Sequence, residues 1–150
     1  MSTSVESPSM FTGLLQIFLL IILILINAFF AMSEIAIITL NDNKIKKLAS
    51  SGHKQAQKVL RLTENTSNFL ATIQVGVTVS GFLTSATASQ SFSEHLANSL
   101  SFLNLPLSTR NLISTFLITI ILSYFSLVLG ELAPKKIAMQ KAEAISFKAV

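Results

Sequence analysis

The sequence predicts an all-α membrane protein with three transmembrane helices and juxtamembrane amphipathic helices. Three observations carry this reading. Three uncharged stretches, 7–30 running on to Glu34, 65–93 and 111–130, are each long enough to cross a bilayer; a spanning helix needs roughly 20 mostly apolar residues. Only 12% of the 150 residues are charged and mean hydropathy is +0.64, where a soluble domain carries about twice that charge. The charge is also segregated: six of the eleven basic residues lie between Lys44 and Arg61, four follow Glu131, and Arg110 alone stands elsewhere.

The first spanning helix is expected over 12–40, after a short outer tail, 1–11. Thr12 to Ile26 is almost unbroken Leu, Ile and Phe, with Gln16 the only strongly polar residue. The first ten residues carry no Lys or Arg, and the apolar run is too long for a signal-peptide core, so the segment reads as a retained helix. A helix apolar all round faces lipid over much of its surface. Asn27 breaks the run, and Ser33 and Glu34 sit with it at the inner end.

Asn41-Asp42-Asn43 reads as a turn or cap. Over 42–62, Ile45, Leu48, Ala49, Ala56, Val59 and Leu60 alternate with lysines. This amphipathic pattern, interrupted near Ser50-Ser51-Gly52, predicts two short helices along the cytoplasmic interface. The competing reading is a helical hairpin that packs on lipid headgroups alone.

The second span, 66–90, is rich in Ser, Thr and Gly. Thr72, Gly76, Ser80 and Thr84 form one stripe, and Gly81, Ser85 and Ser89 a second. Small residues at this spacing let helices approach closely in lipid. So polar a helix is expected at the centre of a bundle or along a cavity, unless its hydroxyls simply bond their own i−4 carbonyls. Residues 91–110, with Pro106, read as an outer connection of short helix and loop. The third span, 111–132, ends in Gly130-Glu131. Pro134 lacks a helical donor and ends or bends the helix. Residues 135–150 read as a cytoplasmic juxtamembrane helix with no closing cap, as in a chain that continues. The basic clusters place both juxtamembrane segments inside and the N-terminus outside.

Several functions are disfavoured at once. Without cysteine there is no disulfide or thiolate centre, and His53 and His95 lie in separate polar segments, so a zinc site built on them is not expected. The pI near 9.6 reflects Lys and Arg beside the spans rather than a nucleic-acid partner. No phosphate loop, nucleophile triad or cofactor signature is visible, so an enzyme is not expected. What remains is oxygen: Ser33, Thr78, Ser80, Gly130 and Glu131, with Glu34 as second choice. Hard cations such as Mg²⁺ take oxygen ligands, and irregular backbone at membrane depth is tolerated where it lines a cavity. Glu131 is the sharpest of these residues. At a helix C-terminus the dipole disfavours its charge. Two partners are open to it: Lys135, four residues on, or a bound cation.

The segments FFAMSEIAIITLNDNKIKKLASSGHKQAQKVLRL, FLATIQVGVTVSGFL and LVLGELAPKKIAMQKAEAIS together resemble the transmembrane domain of the CNNM/CorC family, often called haemolysin-like in bacteria and linked to Mg²⁺ and Co²⁺ handling. The resemblance runs from about Phe18 to Ser146. It implies a homodimer, each subunit having three transmembrane helices and a belt of juxtamembrane helices. It also implies cytosolic CBS domains, which these residues do not include. The implied activity is Mg²⁺ export driven by Na⁺ influx. The implied site is Ser33, polar residues of the second span, and Gly130-Glu131. One position departs: Val77 stands where family transporters often have Asn, leaving Thr78 and Ser80 as the nearby side-chain oxygens.

Divalent-cation transport is thus the leading expectation. The alternative from another class is a non-transporting anchor and sensor for cytosolic CBS domains. A pore-forming haemolysin ranks last, because retained spans with basic inner flanks describe a resident membrane protein.

Overall fold

A computed structural model describes residues 10–150, together with their side chains except those of Met10, Gln90 and Ser91. Most of the expected outer tail, 1–11, lies outside the described residues. Among the described residues the fold is all helix. Its long elements are α1 (Met10–Ile38), α4 (Thr66–Ser99) and α5 (Leu107–Leu127). Short helices α2 (Asp42–Ser50) and α3 (Lys54–Glu64) join α1 to α4, and α6 (Ala133–Gln140) and α7 (Ala142–Ala149) follow α5. Three helical segments are long and apolar enough to cross a membrane: Phe11–Ile38, Thr66–Leu103 and Leu107–Gln140. Their outer faces are Leu, Ile, Val and Phe, with Phe11, Leu14, Phe82, Leu112 and Phe116 exposed. That surface belongs in lipid, and the chain is a membrane protein.

The two short helices expected between the first spans are present, and each boundary has a local cause. Asn41 caps α2 by accepting the Lys44 N–H at 3.1 Å. Gly52, at φ +91°, makes the turn into α3, a backbone region that costs glycine little. His53 then caps α3 through Nδ1, which accepts the Ala56 N–H at 3.2 Å. Their apolar faces do not rest on headgroups alone. Ile45, Ala49, Ala56 and Val59 form a small core with Ile37 at the end of α1, flanked by Phe69 and Phe147. The His53 ring stacks on Phe147 at 5.1 Å, and Lys44 forms an ion pair with Glu143. Helices α2, α3 and α7 thus make a collar at the charged end of the bundle.

Three expectations change. First, α4 continues through nearly half of the segment read as an outer connection, to Ser99, and is followed by a 3₁₀ turn, Leu100–Leu103. The Ser residues that suggested a loop bond back into the helix, Ser93 to the Ser89 carbonyl and Ser99 to the His95 carbonyl. At 34 residues the helix is roughly 50 Å long, more than a bilayer core. Second, Pro134 does not stop the third helix. A π-helical turn, Val128–Leu132, joins α5 to α6, with Pro134 in the first turn of α6. Helical backbone runs on to Gln140, where Lys141 (φ −130°, ψ 36°) breaks it before α7. Third, the most packed span is the apolar first one. Of its most hydrophobic window 28% is buried, against 17% for the second span and 6% for the third. Helix α1 packs against α4, α6, α7 and the π turn, through Leu20, Leu23, Asn27 and Ala31 on one face.

Candidate functional site

Asn27 is the hub of the bundle. It is 5% exposed and joins three helices. Its Nδ2 donates to the Gly130 carbonyl at 3.2 Å, and its Oδ1 accepts from the Ser80 hydroxyl at 2.9 Å. The first bond has a cause in the sequence. In an α-helix the N–H of residue 134 would bond the carbonyl of residue 130, and proline has no N–H. The Asn27 amide takes up the carbonyl that Pro134 leaves. The approach is close because residue 130 is glycine: a Cβ there would stand 2.9 Å from Asn27 Nδ2. One turn on, Phe30 lies against Gly76, where a Cβ would meet its ring at 2.8 Å.

Beside this hub a cleft of about 340 Å³ opens between α4 and α5. Val77, Thr78, Gly81, Phe82 and Ser85 line it from α4, and Ser123, Ser126 and Leu127 from α5. Asn27 and Glu131 reach it from α1 and the π turn. Of the two stripes of the second span, Gly81 and Ser85 run along this cavity, whereas in the other Gly76 packs on Phe30 and Thr72 and Thr84 bond their own i−4 carbonyls; that helix is not the central one. Gly81 has no atom within 4 Å of where a Cβ would stand, so this stripe is open within a single chain. A larger groove of about 910 Å³ on the outer half of α5, beside Leu112 and Phe116, is almost wholly apolar and is part of the lipid-facing surface.

The residues expected to bind a cation fall into three groups. Thr78 and Glu131 line the cleft. Ser80 and Gly130 are buried behind it, each hydrogen-bonded to Asn27. Ser33 is 2% exposed, does not line the cleft, and donates to the Phe29 carbonyl at 2.8 Å. Its neighbour Glu34 enters by another route. Lys135 Nζ lies 2.9 Å from Glu131 Oε1 and 3.2 Å from Glu34 Oε2, so one ammonium joins two carboxylates on different helices. Because the backbone stays helical past Glu131, the helix-end argument for that residue does not hold. Lys135 offsets its charge.

Asn27 was not among the expected site residues, and Lys135 was expected only as a partner of Glu131, not of Glu34. Signals for both are present in the sequence: an amide in the middle of an apolar run, a proline four residues after Gly130, and a lysine four residues after Glu131. Among the described residues no three Asp, Glu or His side chains converge as a metal cluster would require. A cation in this cleft would be held mainly by neutral oxygens and one carboxylate.

Comparison with known proteins agrees with this architecture. A UPF0053 protein of Synechocystis sp. is 34% identical over 132 residues, covering 88% of this chain and 30% of its own length. The UPF0053 protein YhdP of Bacillus subtilis is 32% identical over 133 residues, covering 89% and 30%. The polyamine export protein of Escherichia coli K12 is 32% identical over 135 residues, covering 90% and 30%. The chain thus spans about 30% of the length of the curated relatives it matches. Three apolar spans are present, the cyclin M transmembrane N-terminal domain (CNNM) matches residues 18–150, and the chain belongs to the CNNM family.

Proposed function

We propose that this chain is the membrane domain of a cation exporter, with the cleft between α4 and α5 as the cation's path and Glu131 as its carboxylate. One observation carries this: a carboxylate opens onto a cleft where Asn27, Thr78, Ser85, Ser123 and Ser126 interrupt an otherwise apolar lining of Val77, Phe82 and Leu127, between helices whose other faces are apolar. Ionisable residues within membrane spans face bundle interiors or water-filled cavities and mark ion pathways. The cargo proposed is a divalent cation, Mg²⁺ or Co²⁺, exchanged for Na⁺. Thr78 and Glu131 are in place to receive it, while Ser80, Gly130 and Ser33 join only if Asn27 and α1 yield their present bonds. In this reading two copies pair in the lipid through the open Gly81 and Ser85 stripe, with the N-terminus outside and the collar in the cytoplasm.

A second cargo is favoured by a specific contact. Glu34 and Glu131 already hold a primary ammonium, that of Lys135, and relatives bear the name polyamine export protein. A polyamine presents the same chemical group.

The deciding measurement is efflux from proteoliposomes carrying this protein. They are loaded in turn with Mg²⁺, Co²⁺ and spermidine, with and without a Na⁺ gradient. Transport of one cargo that Glu131→Gln abolishes is the expected result. No flux of any cargo replaces transport with the anchor-and-sensor reading. Cysteines placed at Ser4 and at Ser51, which is exposed beside the Gly52 turn, should be labelled from opposite sides of the membrane; labelling of both from outside overturns the orientation.

A further inference from the structure

We propose that Lys135 is a tethered competitor for the cation seat at Glu131, and that an incoming cation binds by driving the Lys135 ammonium wholly onto Glu34. This rests on the reading of Glu131 as the cation-binding carboxylate and adds how that seat is filled and emptied.

The geometry is a bridge between two unlike carboxylates. Glu131 lines the cleft and Glu34 does not. The ammonium sits between them, 2.9 Å from Glu131 Oε1 and 3.2 Å from Glu34 Oε2. All three side chains are only about a quarter to a third exposed, at 26%, 23% and 32% for Lys135, Glu34 and Glu131. In so sheltered a place an uncompensated charge is costly. Two carboxylates and one lysine leave one negative charge in excess, so the group attracts a cation although each acid already has a partner. A lysine ammonium is a compact charge on a flexible four-carbon stem with three donors. It can give up Glu131 and keep Glu34 without any backbone movement. A cation seated on Glu131 repels it in that direction, and when the cation leaves, the lysine returns and closes the seat. Lys135 is therefore a positioning residue whose removal should strengthen binding, the opposite of what loss of a ligand does.

The test is calorimetric titration of the purified chain in detergent, with MgCl₂ and spermidine as separate titrants. For a titrant that binds the parent, Lys135→Gln should tighten binding by at least about fivefold, the lower end of usual site-to-site coupling. Glu34→Gln should weaken it by a similar factor, because the displaced ammonium then has nowhere to go. In the double variant most of the Glu34→Gln effect should vanish, since no lysine remains to be seated. If Glu131→Gln abolishes binding but Lys135→Gln leaves it equal or weaker, the cation seat stands and the competitor role is overturned. An equal loss from Glu34→Gln in both backgrounds makes Glu34 a direct ligand and also overturns it. If neither titrant binds the parent or Lys135→Gln, the seat and the competitor fall together. Should Lys135→Gln elute as aggregate, Glu34→Gln carries the test, and unchanged affinity there refutes the proposal.

Discussion

In the collar, Ala56 and Val59 are wholly buried in a small apolar core closed by Ile37, Ile45 and Ala49. Around Asn27 the tertiary contacts are of another kind: an amide, a hydroxyl and a backbone carbonyl bonded to one another, between helices whose outer faces are Leu, Ile and Phe. The difference follows from the solvent at each level. Beside water, burying apolar surface is itself favourable, so an amphipathic stripe is enough to assemble α2, α3 and α7. Inside lipid, an apolar face gains little by leaving lipid for protein. Helices there are joined by close packing and by polar groups that would otherwise lack partners. The collar is built by what it hides from water, and the bundle by what it cannot leave unpaired.

The largest effect should come from placing a charge in the collar core. Val59→Asp buries a carboxylate with no partner and should cost about 4 kcal/mol. Calorimetric unfolding should show that loss, with faster tryptic cleavage at Lys54, Lys58 and Arg61 while the spans stay protected. A variant that melts like the parent would mean that the collar contributes little to the folded state.

Asn27→Leu makes the complementary change at the hub, replacing a polar junction with an apolar one. It removes the side-chain donor to the Gly130 carbonyl and leaves the Ser80 hydroxyl only the Val77 carbonyl, 3.0 Å away; this should cost about 2 kcal/mol, since lost bonds of this kind are worth less in membranes than their burial suggests. Thermal unfolding in detergent measures it. A more stable Asn27→Leu protein would show that apolar packing, as in the collar, governs the bundle too.

A paired substitution sharpens the comparison within the bundle. Gly76→Leu drives a side chain into Phe30 and should cost roughly 1–3 kcal/mol. A Cβ at residue 81 meets nothing in the same chain, so Gly81→Ala should leave a monomer's melting temperature unchanged or raise it, alanine being the better helix former. Equal losses would place a second copy of the chain against Gly81, which crosslinking and detergent-corrected mass would confirm. The smallest effect belongs to the exposed ion pair between α2 and α7. Lys44→Ala should cost less than about 0.5 kcal/mol, and high salt should erase the difference.

Much of the fold was readable from single residues and their spacing. The three spans, the turn at Gly52, and the two amphipathic helices with Asn41 ahead of the first follow from apolar length, backbone freedom and helical periodicity, all local properties. The continuous α4 was not, because serines and asparagines look the same in a loop as in a helix whose hydroxyls bond back to its own carbonyls. Nor was the path through Pro134, which by itself announces an end or a bend and is here accommodated beside a π turn. For the candidate site, Glu131 and its i,i+4 lysine could be read directly, and so could the polar stripe facing a cavity.

The sequence by itself determined a three-span helical membrane protein with a charged collar and a carboxylate at the end of a Ser- and Thr-rich bundle. These follow from the solvent each residue tolerates and from the fixed geometry of one helix. Only the tertiary structure decided that Asn27 meets Gly130 across 103 residues of sequence and Ser80 across 53. It alone brought Glu34 to the lysine already paired with Glu131, and it alone made the most apolar helix the most enclosed. Such pairings depend on which helix faces meet. In lipid that is set by the few small and polar residues that let backbones approach and satisfy each other's bonds, a condition no single helix can express.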